Sequence, residues 1–253
     1  SGFALSGDGF TVIMDYYRDS EDGQAQADLN RLMDGTFSNQ EAGMPEGTVH
    51  SELLRRPGKL YVLASHFHPD HFNKEVLQWR EQRPDIIYIF SKDILRHRRA
   101  QKEDAVWLKK GEEYKDETLS VRAFGSTDVG VSFLLQASGK KIFHAGDLNN
   151  WHWMDESTEA QWKGAEKNFL HELDDLYAYT PEVDVAMFPV DPRLGKEYMR
   201  GAGQFVTKIK THIFVPMHFT PEYAKANAFR DFAEAHGVRF VSLTHRGQKI
   251  EIE

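Results

Sequence analysis

Four side chains able to hold a cation fall within six residues of this chain, in Ser65-His66-Phe67-His68-Pro69-Asp70-His71, directly after the apolar run Leu60-Tyr61-Val62-Leu63-Ala64. Alternate residues of an extended backbone point the same way, so His66 and His68 can grip one ion while Asp70 and His71 project differently and can reach a second. A carboxylate beside imidazoles suits Zn, Mn or Fe rather than a soft ion. The chain has no cysteine, which excludes disulfides, thiolate zinc sites and cysteine nucleophiles together and leaves His, Asp and Glu as the strong ligands. No Gly-x-Ser-x-Gly nucleophile elbow occurs either.

These residues need elements to position them. With 253 residues, 40% of them hydrophobic, the chain has the composition of a globular protein, and no Pro/Gly/Ser tract divides it, so one domain over 1–253 is expected. Strand-like runs cover 10–16, 60–64, 86–90, 119–124, 131–135 and 141–144, then 183–189, 212–216, 238–243 and 249–252. The helical stretch between the two groups suggests a repeated α/β half. Helices are expected over 73–82, 92–101, 157–176, 196–210 and 221–236, the last with Pro221 in its first turn and Gly237 past its end. Residues 18–47 are polar with little period, and read as a loop near the mouth of a site.

The His66-Phe67-His68-Pro69-Asp70-His71 run resembles the HxHxDH motif of the metallo-β-lactamase superfamily. That resemblance implies an α/β (α+β in some schemes) fold, the four-layer αβ/βα sandwich, with two divalent metal ions at the shared edge of its sheets. It further implies that Asp147, in Phe143-His144-Ala145-Gly146-Asp147, bridges the ions and that His218, in Val215-Pro216-Met217-His218-Phe219, is the final ligand. Taken alone, Asp147 is a turn residue and His218 a strand-end histidine. His144 is expected to support the ligands by hydrogen bonding rather than to ligate. Ser1-Gly2-Phe3-Ala4-Leu5 is implied to be the second arm of an opening hairpin whose first strand lies upstream.

One departure stands out. Where the superfamily commonly places a Gly-His-Thr histidine, this chain has Phe124-Gly125-Ser126-Thr127-Asp128-Val129-Gly130. Asp128 can replace the imidazole as a ligand, the first ion can keep a water instead, or Ser126 to Asp128 can be a polar turn. The Gly-Ser-Thr-Asp run, His-Ala-Gly-Asp and Pro-Met-His-Phe together resemble the lactonase-like branch, the ascorbate-6-phosphate lactonase group.

The ligand set implies hydrolysis: paired ions lower the pKa of a shared water and present a metal-bound hydroxide to a carbonyl carbon or phosphorus, with Asp70 and Asp147 as the catalytic carboxylates. The substrate expected is a small anionic ester, lactone or phosphoester. Two alternatives stay open, a phosphodiesterase or nuclease on the same centre and a metal-binding protein without turnover. The excess of 39 acidic over 31 basic residues disfavours a nucleic-acid partner. Trp151 and Arg193 are candidate substrate-binding residues; a core tryptophan and an Asp191–Arg193 turn are the plainer readings. Arg96-His97-Arg98-Arg99 and His171-Glu172 read as solvated faces. The apolar runs are strand-sized, no membrane partner is expected, and with no signal segment cytoplasm is the default compartment. Trp79, Trp107 and Trp162, if exposed, would be compatible with a homo-oligomer.

Overall fold

The computed structural model describes residues 2–18, 49, 54–219 and 221–252. The polar stretch expected at the mouth of the site, apart from Arg18, lies outside them.

Two sheets form the centre of the fold. The first runs in the order β1 (Phe3–Gly7), β2 (Phe10–Met14), β3 (Lys59–Ala64), β4 (Ile87–Ser91), β5 (Val106–Leu108), with β2 to β5 parallel and β1 antiparallel to β2. The second contains β6 (Glu113–Lys115), β7 (Leu119–Phe124), β8 (Ser132–Ala137), β9 (Lys140–His144), β10 (Glu182–Pro189), β11 (Lys210–Met217) and β12 (Arg239–Phe240), adjacent in reverse sequence order. Its β6 to β9 half is an antiparallel meander and its β9 to β12 half is parallel. The strands of both sheets are rich in Val, Ile, Leu and Phe, as expected where both faces are covered.

The period-2 alternation of the first sheet divides its side chains between two cores. Val12, Met14, Tyr61, Leu63 and Ile89 face Val121, Phe133 and Leu135 of the second sheet. Ile13, Val62, Tyr88 and Phe90 pack outward on Phe72 of the preceding loop, on Val76 and Trp79 from the 3-10 helix Lys74–Glu81 and on Ile94 from α1 (Lys92–Arg96). On the far face of the second sheet lie α2 (Glu159–Tyr179), α3 (Arg200–Lys208), α4 (Tyr223–Asn227) and α5 (Arg230–Ala235). There Phe205 stacks on Phe143 at 5.5 Å and Phe229 meets Phe214 at 5.1 Å. Helices, sheet, sheet and helices make four layers, the expected mixed α/β sandwich. No helix among the described residues is long and apolar enough to cross a membrane.

Several expectations are corrected. The chain changes sheets between Leu108 and Glu113, at a turn through Gly111 (φ +88°), and not at the central helical stretch. Phe3–Gly7 pairs antiparallel with β2 across the turn at Gly9. Residues 249–252 form no strand: β12 ladders over only two residues, and Ile250 and Ile252 bury side chains against the core instead. The 92–101 helix stops at Arg96 because Arg98 adopts φ +55°, and 221–236 splits into α4 and α5 around Phe229, which is drawn fully into the core. The helix expected over 73–82 takes the 3-10 form. Of the three tryptophans, Trp79 is buried, so it offers no exposed surface to a second copy.

Candidate metal centre

The site lies where the carboxyl ends of both sheets' parallel strands meet. Met14 is paired in register with Leu63, which brings Asp15 beside the end of β3. There Asp15 becomes a buried junction: its Oδ1 accepts the Ser65 N–H at 2.7 Å, and its Oδ2 accepts the Ser65 hydroxyl at 2.7 Å and lies 2.7 Å from His71 Nδ1. The Ser65 carbonyl accepts the Val131 N–H at 3.0 Å, which ties the second sheet to the same loop. This approach is so close that a Cβ on Gly130, at φ +74°, would lie 2.1 Å from Ser65 O. After His66 the backbone stays open to His68, then closes a turn in which the His71 and Phe72 N–H groups donate to His68 O, so the motif's second half points elsewhere.

Asp147 and His218 arrive from β9 and β11. Gly146 supplies φ +53° ahead of Asp147. His218 itself adopts φ +63°, a strained backbone for a non-glycine residue and one found mostly at sites the surroundings over-determine. Buried Asp191 accepts from its Nδ1 at 2.9 Å and holds that conformation.

Two ligand groups result. His66, His68, Asp128 and Asp147 offer atoms all within 4.8 Å of one another, and so do Asp70, His71 and His218. Asp147 stands between them: Oδ2 is 3.3 Å from His66 Nε2, while Oδ1 is 3.1 Å from His71 Nε2 and 3.3 Å from His218 Nε2. His66 Nε2, His71 Nε2 and Asp147 Oδ1 are buried without a well-formed hydrogen bond. Burying such atoms unsatisfied costs about 1–3 kcal/mol each, more when charged, and a divalent cation in each group would satisfy them. The donor set therefore fits the cations that the fold implies, with imidazole and carboxylate and no thiolate.

The electrostatics agree. Burial works against ionised Asp147, yet His66, His71 and His218 outweigh it and hold the carboxyl well below the usual range. Burial likewise opposes a proton on His71, but Asp15, Asp147 and Asp70 raise its imidazole to about 11. Carboxylates that so favour a proton also favour a cation at Nε2, which competes for the same lone pair. Asp70 is brought down to about 2, first by the His71 hydrogen bond.

Every candidate ligand is thus brought to one place, Asp128 included: its Oδ2 lies 3.6 Å from His68 Nδ1. His144 is buried 3.8 Å from Asp15 Oδ2 and accepts the Gly146 N–H at 3.2 Å, behind the ligands. Trp151 donates its indole N–H to Asp147 O at 2.8 Å and sets its ring 5.6 Å from that of His218. Arg193 forms the Asp191 turn, its plainer reading. Its Nε and Nη2 grip Asp191, while its side chain stays 63% exposed beside His218. The 96–98 stretch is a solvated face and His171 is exposed, although Leu173 between the acidic residues is core. Three functional residues escape sequence reading. Asp15 was legible only as an acid closing an apolar strand, Ser65 only as the residue before the motif, and Asp191 only as a turn former.

Known proteins share the family and the fold. A profile described as a beta-lactamase superfamily domain matches residues 1–218. No curated protein matches the chain. Among solved structures, Igni18, a metallo hydrolase from Ignicoccus hospitalis, is similar at TM-score 0.60 and 15% identity over 98% of this chain and 93% of its own. The metallo-beta-lactamase fold protein YhfI from Bacillus subtilis gives 0.57 and 12% over 98% and 89%, and Zn2+-bound PqqB from Methylobacterium extorquens 0.52 and 16% over 99% and 87%. With the profile covering most of its length and the sandwich and His/Asp centre in place, the chain belongs to the beta-lactamase superfamily, in its metallo-β-lactamase fold.

Proposed function

We propose that this protein is a metal-dependent hydrolase of small anionic esters, lactones or phosphoesters, of the lactonase-like branch. It would use two divalent cations, Zn or Mn, held by His66, His68, Asp128 and Asp147 on one side and Asp70, His71, His218 and Asp147 on the other. The observation that carries this reading is the Asp147 carboxylate, whose two oxygens face two separate histidine groups. The description of Igni18 as a metallo hydrolase supports the reaction class.

Bound cations of this kind lower the pKa of water toward neutrality and polarise a carbonyl or phosphoryl oxygen. The chain's own residues set the rest. Asp70, half-exposed and ionised far below neutral pH, can orient a water and take its proton at Oδ2. Arg193, locked on Asp191, keeps Nη1 for a substrate anion without losing further side-chain freedom. The Trp151 ring, set edge-on to His218, offers an apolar wall beside it.

Elemental mass spectrometry on chain purified without chelator should find about two divalent ions per chain, and the loaded protein should open lactones or cleave small phosphoesters. Asp147→Asn should lose both ions and turnover. A chain that takes up no divalent cation, or holds cations yet turns over no ester, lactone or phosphoester, overturns the reading.

A further inference from the structure

We propose that the two halves of this centre bind with unequal affinity: the ion between Asp70, His71, His218 and Asp147 is the tight one, and the ion between His66, His68, Asp128 and Asp147 is weak and exchangeable. This rests on the two-cation reading above.

The difference lies in what stands behind each ligand. A carboxylate hydrogen-bonded to the remote nitrogen of a ligating histidine fixes its tautomer and raises its basicity, and losing such a partner typically weakens metal binding by about 10–100-fold. In the tight half both histidines have one. Asp15 lies 2.7 Å from His71 Nδ1 and Asp191 lies 2.9 Å from His218 Nδ1, and both carboxylates are 1% exposed. In the other half, His66 Nδ1 reaches only the Ser65 hydroxyl, at 3.0 Å. That hydroxyl already donates to Asp15, so it acts here as an acceptor and passes on only part of the carboxylate's effect. For His68 no carboxylate stands behind the ring among the described residues; its Nδ1 faces Asp128 itself, at 3.6 Å.

Exposure points the same way. Two side chains of the weak half are solvated, His68 at 36% and Asp128 at 43%, beside buried His66, whereas the tight half has one, Asp70 at 53%, beside His71 at 0% and His218 at 11%. Each solvated ligand must lose rotamer freedom when the ion binds and is screened by water, and the weak half has two such ligands against one. Asp128 is the residue that stands where the superfamily commonly has an imidazole, so the substitution falls in the weaker half. Its oxygen donor also hardens that half, which should narrow the usual preference for Zn2+ over Mn2+ there.

The test follows ions leaving the loaded full-length chain. Zn2+-loaded protein is dialysed against a graded series of chelators, and the ions remaining are counted by elemental mass spectrometry. Wild type should pass through a plateau of one ion per chain across at least about tenfold in free Zn2+. Asp128→Ala and His68→Ala, both at solvent-accessible side chains, should keep the wild-type melting temperature in metal-free buffer, begin on that plateau when loaded and lose their ion at the wild-type final step. Asp128→His should shorten the plateau by tightening the weak half. Asp191→Asn should also shorten it, by weakening the tight half about 10–100-fold. Simultaneous loss of both ions from wild type, or removal by Asp128→Ala of the ion that wild type keeps longest, overturns the inference while leaving the two-cation reading intact. A wild type that never loads two ions removes that reading and this inference with it.

Discussion

Replacing Asp15 with Asn tests whether one buried carboxylate sets the chemistry of the centre. The amide keeps the shape of the side chain and removes its charge. Three donors converge on Asp15: the Ser65 N–H on Oδ1, and the Ser65 hydroxyl and His71 Nδ1 on Oδ2. An amide has a single oxygen, so at least one donor must meet an NH2 group. With that oxygen in the place of Oδ1, the NH2 faces His71 Nδ1. The imidazole can then accept only by moving its proton to Nε2, the atom 3.1 Å from Asp147 Oδ1 on which a cation would sit. A lost charge-assisted hydrogen bond is worth about 1.5–3 kcal/mol. At about 1.4 kcal/mol per tenfold, cation affinity should fall by roughly 10- to 150-fold. Folding stability should fall less, by about 1–2 kcal/mol, because a neutral amide recovers part of the cost of burying a charge. Competition against a chromophoric chelator reads the first quantity and urea unfolding in metal-free buffer the second. Affinity within twofold of wild type in a folded variant would refute the claim that Asp15 fixes the His71 tautomer.

Three further outcomes are expected. Gly130→Ala should cost at least about 1–3 kcal/mol by urea unfolding, since the residue sits at φ +74° with its new Cβ 2.1 Å from Ser65 O, and should reduce cation content by displacing the His66 loop; an unchanged transition would contradict the close approach. At the opposite end of β3, Lys59, Tyr61 and Tyr114 all converge on Asp116. Burial opposes the Asp116 charge, but Lys59, the Leu119 N–H and Tyr61 outweigh it and depress its pKa, so its contribution is complete above the unfolded value of 3.8 and is lost as pH falls below that. The stability gap between wild type and Asp116→Asn should therefore be widest above about pH 5 and shrink progressively as the pH is taken below 3.8 toward the lower folded-state value, and a gap independent of pH over that range would count against the network. Trp151→Phe keeps the ring and deletes the N–H donated to Asp147 O at 2.8 Å; at about 1 kcal/mol for that bond, cation affinity should drop about fivefold, as calorimetry would show.

The parts of the centre readable in the sequence are those whose spacing is local. His66, His68, Asp70 and His71 announce themselves because strand-then-turn geometry acts within six residues. Asp147 and His218 carry no such signal, and they became candidates only through the order of motifs that a family resemblance supplies. Asp15 carries less still: nothing local marks an aspartate that will be buried against a serine 50 residues away. Most strands of both sheets were legible from their apolar runs, but the three-residue strands β5 and β6 were not, nor was the point between them where the chain leaves one sheet for the other. That point depends on the turn at Gly111 and on which edge remains available, both properties of the assembled sheets.

The same distinction between local and assembled geometry explains how the centre is held. Asp15 anchors Ser65 through two hydrogen bonds and His71 through a third, and through the Ser65 hydroxyl it reaches His66 as well. One charge, fully buried where β2 and β3 end side by side, thereby orients a histidine in each ligand group and joins the backbone that carries them to the second sheet at Val131. Burial would otherwise raise the Asp15 pKa, and the neighbouring His144 and His71 outweigh it. Fold and site are coupled at this residue: the desolvation cost of Asp15 is offset only when the loop carrying the motif is in place. A mutation that loosens the sheet junction should for that reason cost cation affinity before it costs the fold, whereas one at Asp128 or His68, which hang on no such junction, should change cation binding alone.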